Sequence, residues 1–173
     1  MLFRSVSFAK LTLVPKSYEI IADPEFKTEM KYVCISPMTP QPPFASDENG
    51  AIPDALDPRS QEFSDAFYNS IMDQMESAGF TQEQLAKFAE FEIVPDPSYI
   101  DKILNTHKKF ARIYKNNDSL PIFGYLLPFT LHAHPQVQKF VWDCGIGLYT
   151  NQGYGMIDLV GGVAPVQEFK EEE

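Results

Sequence analysis

Four glycines, Gly145, Gly147, Gly153 and Gly155, fall within eleven residues near the end of a 173-residue chain that holds only nine in all. Nothing else in the sequence restricts the backbone as strongly, because glycine costs conformational entropy unless its positive φ or its missing Cβ is used. Clustered between regular elements, such glycines mark a loop shaped for close contact. The flanking elements are legible. Val137, Phe140, Val141 and Cys144 follow the i, i+3, i+4, i+7 stripe of an amphipathic helix that starts near Pro135 and stops at Gly145. Beyond the loop, Tyr154, Met156, Asp158 and Val160 alternate with Gly155, Ile157 and Leu159 as in a strand.

Helix, glycine loop, strand is the reverse of a dinucleotide site, which needs the glycines between a strand and a helix N-terminus; Thr150 also stands where the third glycine would be. The order and spelling of Gly145, Gly147, Gly153, Tyr154, Gly155 and Met156 instead resemble the C-terminal signature of the RAMP proteins of CRISPR systems. Within these, the likeness is to the endoribonuclease family that cuts CRISPR repeat transcripts into guide RNAs. A weaker likeness lies at Cys34-Ile35-Ser36-Pro37-Met38, where that family tends to have a strand ending in Ser-Pro and an apolar residue.

The remaining pattern predicts α+β architecture. Residues 1–28 read as an N-terminal arm or hairpin, with Val6, Phe8, Leu11 and Leu13 on one side of Pro15-Lys16-Ser17 and Tyr18, Ile20 and Ile21 on the other. Lys31 to Ser36 reads as a strand, followed by a Pro- and Asp-rich loop to Pro58. Asp57-Pro58 is the expected N-cap and first turn of a helix carrying Phe63, Phe67, Ile71 and Met75 and ending at Gly79. Thr81-Gln82-Glu83-Gln84 has the capping-box pattern of a second short helix. Phe91 to Val94, Phe110 to Tyr114 and, after an Asn116-Asn117-Asp118 turn, Ile122 to Leu131 are expected to meander through one sheet. Strand, helix, strands, helix, strand is the βαββαβ order of a ferredoxin-like (RRM-like) domain, an antiparallel sheet with helices on one face, here over residues 29–162. Residues 163–173 read as an acidic tail, expected to be disordered, with four glutamates from Gln167 onward.

A hydrophobic content of 44% suffices for one core in a chain of this length. Cys34 and Cys144 sit among apolar neighbours and, with no secretory signal at the N-terminus, are expected to be buried, reduced thiols of a soluble cytoplasmic protein. The longest apolar run, Phe123 to Leu131, is broken by Pro128 and too short to span a bilayer, so no membrane partner is expected. The net charge of −10 opposes nucleic-acid binding, but the charges are segregated. Thirteen acidic residues face only Arg59 and Lys87 from Asp47 to Asp101, whereas Lys102 to Lys115 holds five basic residues and no acidic one. Lys102, Lys108, Lys109, Arg112 and Lys115, with His107, form the kind of stripe that tracks a phosphate backbone; alone, it also fits a solvated hairpin whose lysines blunt an edge.

The resemblance implies metal-independent RNA chemistry, in which a 2′-hydroxyl attacks the adjacent phosphate with help from a histidine. That histidine belongs to the first of two tandem domains in the family, the likeness covers only the second, and no position here inherits it, so no residue of this chain is assigned as catalytic. His107 reads as an exposed polar residue. His132 and His134 would share a strand face, the minimum for a metal, but His134 before Pro135 reads better as a helix cap. Ser36, Ser46 and Ser119 lie in no nucleophile motif.

The sequence therefore points to CRISPR RNA maturation without cofactor or metal. CRISPR repeat RNA would be bound by Lys108, Lys109, Arg112 and Lys115 for charge and by Gly145, Gly147, Tyr149, Asn151, Gly153 and Gly155 in the loop, with Tyr149 placed to stack on a base or to pack against a neighbouring domain. Replacing Gly153 or Gly155 by valine is expected to weaken RNA retention more than stability. Cleavage would need a separate N-terminal RAMP domain or another CRISPR protein, and a homodimer is left open. The alternative is a non-catalytic docking subunit of a CRISPR ribonucleoprotein that touches no RNA, which the acidic total favours.

Overall fold

Capping and alternation place the elements. The computed structural model describes residues 6–8, 11–14, 20–21, 23–45, 50–115, 120–161 and 166–167. The chain divides into two units, Met1–Glu25 with Gly162–Glu173, and Phe26–Gly161. In the first, β1 (Val6–Phe8) pairs antiparallel with β2 (Leu11–Leu13), so the hairpin precedes Pro15-Lys16-Ser17 rather than spanning it. β3 (Ile20–Ile21) pairs instead with β10 (Val166–Gln167). Tyr18, the Pro15-Lys16-Ser17 turn, Ser46, the Asn116-Asn117-Asp118 turn, Ser119 and the glutamates after Gln167 lie outside the described residues.

The larger unit holds β4 (Glu29–Cys34), α1 (Gln61–Ser77), α2 (Gln82–Leu85), β5 (Phe91–Pro95), α3 (Pro97–Asn105), β6 (Ala111–Lys115), β7 (Pro121–Tyr125), β8 (Phe129–Ala133), α4 (Pro135–Cys144) and β9 (Ile157–Leu159). Its sheet runs β5-β8-β4-β9, antiparallel throughout. That is the ferredoxin-like order, with α3 and the β6–β7 hairpin inserted between the second and third strands.

Period-two alternation assigns the two sheet faces. Met30, Tyr32, Ile93, Phe129, Leu131 and Ile157 point inward and are buried against Phe63, Phe67, Ile71 and Met75 of α1 and Val137 and Val141 of α4. Burying each of these large side chains contributes roughly 1.5–3 kcal/mol. The opposite positions, Glu29, Lys31, Val33, Glu92, Val94, Thr130, His132 and Asp158, remain partly or fully exposed. Gln138 of α4 is fully buried and satisfied on both sides: its Nε2 donates to the Leu131 carbonyl at 2.8 Å, and its Oε1 accepts from the Tyr32 hydroxyl at 3.0 Å. Edge strand β5 is closed to further pairing, since Ile93 N–H donates to Ser64 Oγ at 3.0 Å and Pro95 has no N–H to offer.

Several expectations shift. Ile122 to Leu131 is two strands: Pro128 cannot donate to a ladder, and the chain turns there. Only β8 joins the main sheet. β6 and β7 form their own ribbon, attached through mutual backbone bonds between Met38 and Tyr125 at 3.0 and 2.9 Å. The first long helix is capped by Ser60, whose Oγ accepts from Phe63 N–H at 3.2 Å. Asp57 is held instead by Arg59, which keeps its carboxyl below the usual range. The Thr81 capping box and the His134 cap form as read, His134 Nδ1 accepting from Gln136 N–H at 3.2 Å. The strand after the glycine loop is confined to Ile157–Leu159. Helix α3 is absent from the sequence reading, although Asp96-Pro97 repeats the signal read at Asp57-Pro58; here the Asp96 carboxylate does accept from Tyr99 N–H, at 3.0 Å.

Cys34 is half-buried, donating to the Leu127 carbonyl at 3.2 Å, and Cys144 is exposed, so neither is a fully buried thiol. Among the described residues, no helix is long and apolar enough to cross a membrane.

Candidate nucleic-acid interface

The basic stripe is built by a helix end and a short strand. Helix α3 stops in a Schellman turn: Lys108 N–H donates to the Ile103 carbonyl and His107 N–H to the Leu104 carbonyl, both at 3.1 Å. His107 takes the left-handed position of that turn, at φ +50°. The turn projects Lys108 and Lys109 into solvent at the start of the ribbon. Lys108, Lys109 and Arg112 line one groove with Tyr99, Tyr114 and Gly124. Arg112 stands opposite Gly124 in the register, and a Cβ at Gly124 would lie 2.7 Å from the Tyr114 ring, so the missing side chain lets that ring lie across the ribbon. The Tyr99 hydroxyl donates to the Leu126 carbonyl at 2.8 Å; burial raises its pKa, and the Arg112 charge opposes the shift. Lys102 is not part of this groove; on α3 it lines a separate one with Lys31. Among the described residues, none of Lys102, Lys108, Lys109, Arg112 and Lys115 forms an ion pair, which leaves their charge uncompensated at short range.

The glycine loop is fixed mainly to the protein itself. Leu148 N–H donates to the Thr39 carbonyl, Gly155 N–H to the Pro37 carbonyl and Ile146 N–H to the Gly155 carbonyl, each at 2.8 Å. Gln74 Nε2 donates to the Gly147 carbonyl at 2.7 Å, and Met156 N–H to Ser36 Oγ at 2.8 Å, which gives that serine a structural role. Gly145, Gly147 and Gly155 are buried, at φ +87°, +89° and +72°. A Cβ at Gly147 would lie 2.7 Å from the Phe67 ring and one at Gly155 2.1 Å from the Ile146 carbonyl oxygen. Their glycine requirement is met by internal packing, so a valine at Gly155 acts on stability first. Gly153, also at positive φ, has open space around it, and Asn151 is exposed beside it.

Basic strand and loop rim meet through aromatics. The Tyr154 hydroxyl donates to the Lys115 carbonyl at 3.4 Å, and the Tyr154 ring lies 6.3 Å from Tyr114 and 6.5 Å from Tyr149. The tertiary structure thus gathers Lys108, Lys109 and Arg112 on one groove and joins Lys115, at the far end of the strand, to Tyr154 and Tyr149 of the loop; among the described residues, the loop's Asn151 and Gly153 make no contact with the basic ones. Tyr114 and Tyr154 were not read as site residues from the sequence because each fits a strand pattern. The histidines do not converge on the groove: His107, in the turn before Lys108, is exposed and not among the groove's lining residues, His132 Nδ1 lies 3.9 Å from Glu29 Oε2 on the exposed sheet face, and His134 caps α4 against the Phe88 ring. Among the described residues, no group of three His, Cys, Asp or Glu could hold a metal ion.

Residues 21–159 match the family model described as CRISPR associated protein Cas6, C-terminal. The chain belongs to the Cas6 family. No curated protein sequence matches it. Among solved structures, a Cas6-related protein from Pyrococcus furiosus superposes with a TM-score of 0.63 at 18% identity, over 91% of this chain and 58% of that one. A RAMP protein described as binding different RNA substrates gives a TM-score of 0.59 at 19% identity, over 90% and 58%. Cas6b gives 0.51 at 13%, over 91% and 63%. At these identities the likeness is one of fold, and the chain spans less than two thirds of the length of each of these Cas6 and RAMP relatives.

Proposed function

We propose that the chain binds CRISPR repeat RNA on the face formed by the Lys108-Lys109 turn, strand β6 and the rim of the glycine loop, and that it acts in CRISPR RNA maturation. The observation that carries this reading is the convergence of Lys108, Lys109 and Arg112, without ion-pair partners among the described residues, on one groove of an otherwise acidic protein, with Lys115 at the far end of the same strand. Uncompensated cations gathered on one groove attract a phosphate backbone and release its counterions. Family membership supports the same reading, and one fold neighbour is described as binding RNA. No histidine stands in the groove to move a proton at a 2′-hydroxyl, so cleavage on this reading is supplied by a second RAMP domain or another CRISPR protein.

The test is equilibrium binding of the 173-residue chain to CRISPR repeat RNA over a range of salt. Affinity is expected to fall with a log–log slope of about −0.7 per phosphate contact on single-stranded RNA, and Lys108→Glu with Lys109→Glu to remove most binding without product formation in either protein. Binding indifferent to salt and to these charges would exclude the groove, and no binding at any salt would favour the docking-subunit alternative.

A further inference from the structure

We infer that Tyr149 and Tyr154, backed by Tyr114, stack on unpaired bases, so that this face takes RNA as a single strand; the inference rests on the RNA-binding reading above and names its substrate class. Three observations lead to it. Tyr32 and Tyr125 belong to the hydrophobic core and Tyr99 packs against it, whereas Tyr114, Tyr149 and Tyr154 do not, and yet the three stand in a row, half-buried and joined edge to face at interplanar angles of 81° and 70°. The row adjoins the charges: Tyr114 shares the strand face of Arg112, and Tyr154 is bonded to the Lys115 backbone. Tyr149 holds φ +62°, a left-handed conformation that a bulky side chain rarely adopts and that glycine would take without strain.

The sheet offers no competing platform. Its exposed positions on the two central strands are Glu29, Lys31, Val33, Thr130 and His132, with none of the Phe, Tyr or Trp residues on which RRM-type sheets stack bases. Cations interleaved with aromatic rings fit single-stranded nucleic acid, whose phosphates follow the charges while its bases meet π-faces irrespective of sequence. A duplex hides its bases and gains nothing from the rings.

The experiment measures anisotropy of a fluorescein-labelled, unstructured RNA of repeat length and of the same strand annealed to its complement, with a 2-aminopurine base as a direct stacking probe. The unmodified chain is expected to bind the single strand about tenfold or more tightly than the duplex and to quench 2-aminopurine. Tyr149→Leu with Tyr154→Leu should lose that preference while keeping the salt slope, since no charge is removed; Tyr149→Phe with Tyr154→Phe should keep both. Equal affinity for duplex and single strand, or no quenching by the unmodified chain, would overturn the inference. If Lys108→Glu with Lys109→Glu abolishes binding but the leucine variant keeps the single-strand preference and the quenching, stacking alone fails; if neither RNA is bound, the RNA-binding reading fails with it.

Discussion

Ile146 and Gly155 lock each other through the backbone: the Ile146 N–H donates to the Gly155 carbonyl at 2.8 Å, and a Cβ on Gly155 would lie 2.1 Å from the Ile146 carbonyl oxygen. The contact closes the glycine loop on itself and sets where Tyr154 emerges.

Gly155→Ala and Gly153→Ala should therefore separate two uses of glycine. At Gly155 a methyl group meets a backbone atom that cannot swing away, and a loss of about 3–5 kcal/mol is expected. Gly153 has φ +87° but nothing within 4 Å of its Cβ, so only left-handed strain of about 1–2 kcal/mol applies. Urea unfolding of the two variants checks the order; equal losses would contradict the packing assigned to Gly155.

His107→Gly should stabilise the protein by about 1 kcal/mol, because His107 is exposed and occupies the left-handed position of the Schellman turn. Thermal unfolding should show a raised Tm, and the salt slope of RNA binding should not change. A lowered Tm would mean that the imidazole makes a stabilising contact.

Gln138→Leu should cost about 2–3 kcal/mol, since it removes the side-chain donor to the Leu131 carbonyl and leaves the Tyr32 hydroxyl in the core only the Met30 thioether. Tyr32→Phe orphans only the Gln138 Oε1 and should cost about 1 kcal/mol. In a double-mutant cycle the combined loss should fall short of the sum, as for groups that share one bond.

Burial pushes the Cys34 thiol up to about 11, from an unfolded value near 8.5, so folding favours the neutral form. The sign follows directly: this contribution is complete below the unfolded value and is lost as pH rises through about 11. Between about pH 9 and 11, the unmodified chain should lose stability relative to Cys34→Ala in urea unfolding. At pH 8, mass spectrometry after iodoacetamide treatment should find exposed Cys144 modified first.

The sequence alone determined what depends on near neighbours. The Thr81 capping box, the His134 cap, the stop at Gly145 and the alternation of β4, β5 and β8 involve residues a few positions apart, and with them the ferredoxin-like order and the glycine signature of the family were readable. Local signals erred where two sites shared one spelling: Asp-Pro starts a helix at Asp96 but not at Asp57, because Arg59 captures the Asp57 carboxylate. Only the tertiary structure decided which glycines face inward, that Pro128 separates the ribbon from the sheet, and that Tyr154 meets Lys115 across 39 positions of sequence. Those outcomes rest on packing between distant segments, where a missing Cβ or a single ring position selects the contact, and no periodicity along the chain carries that information.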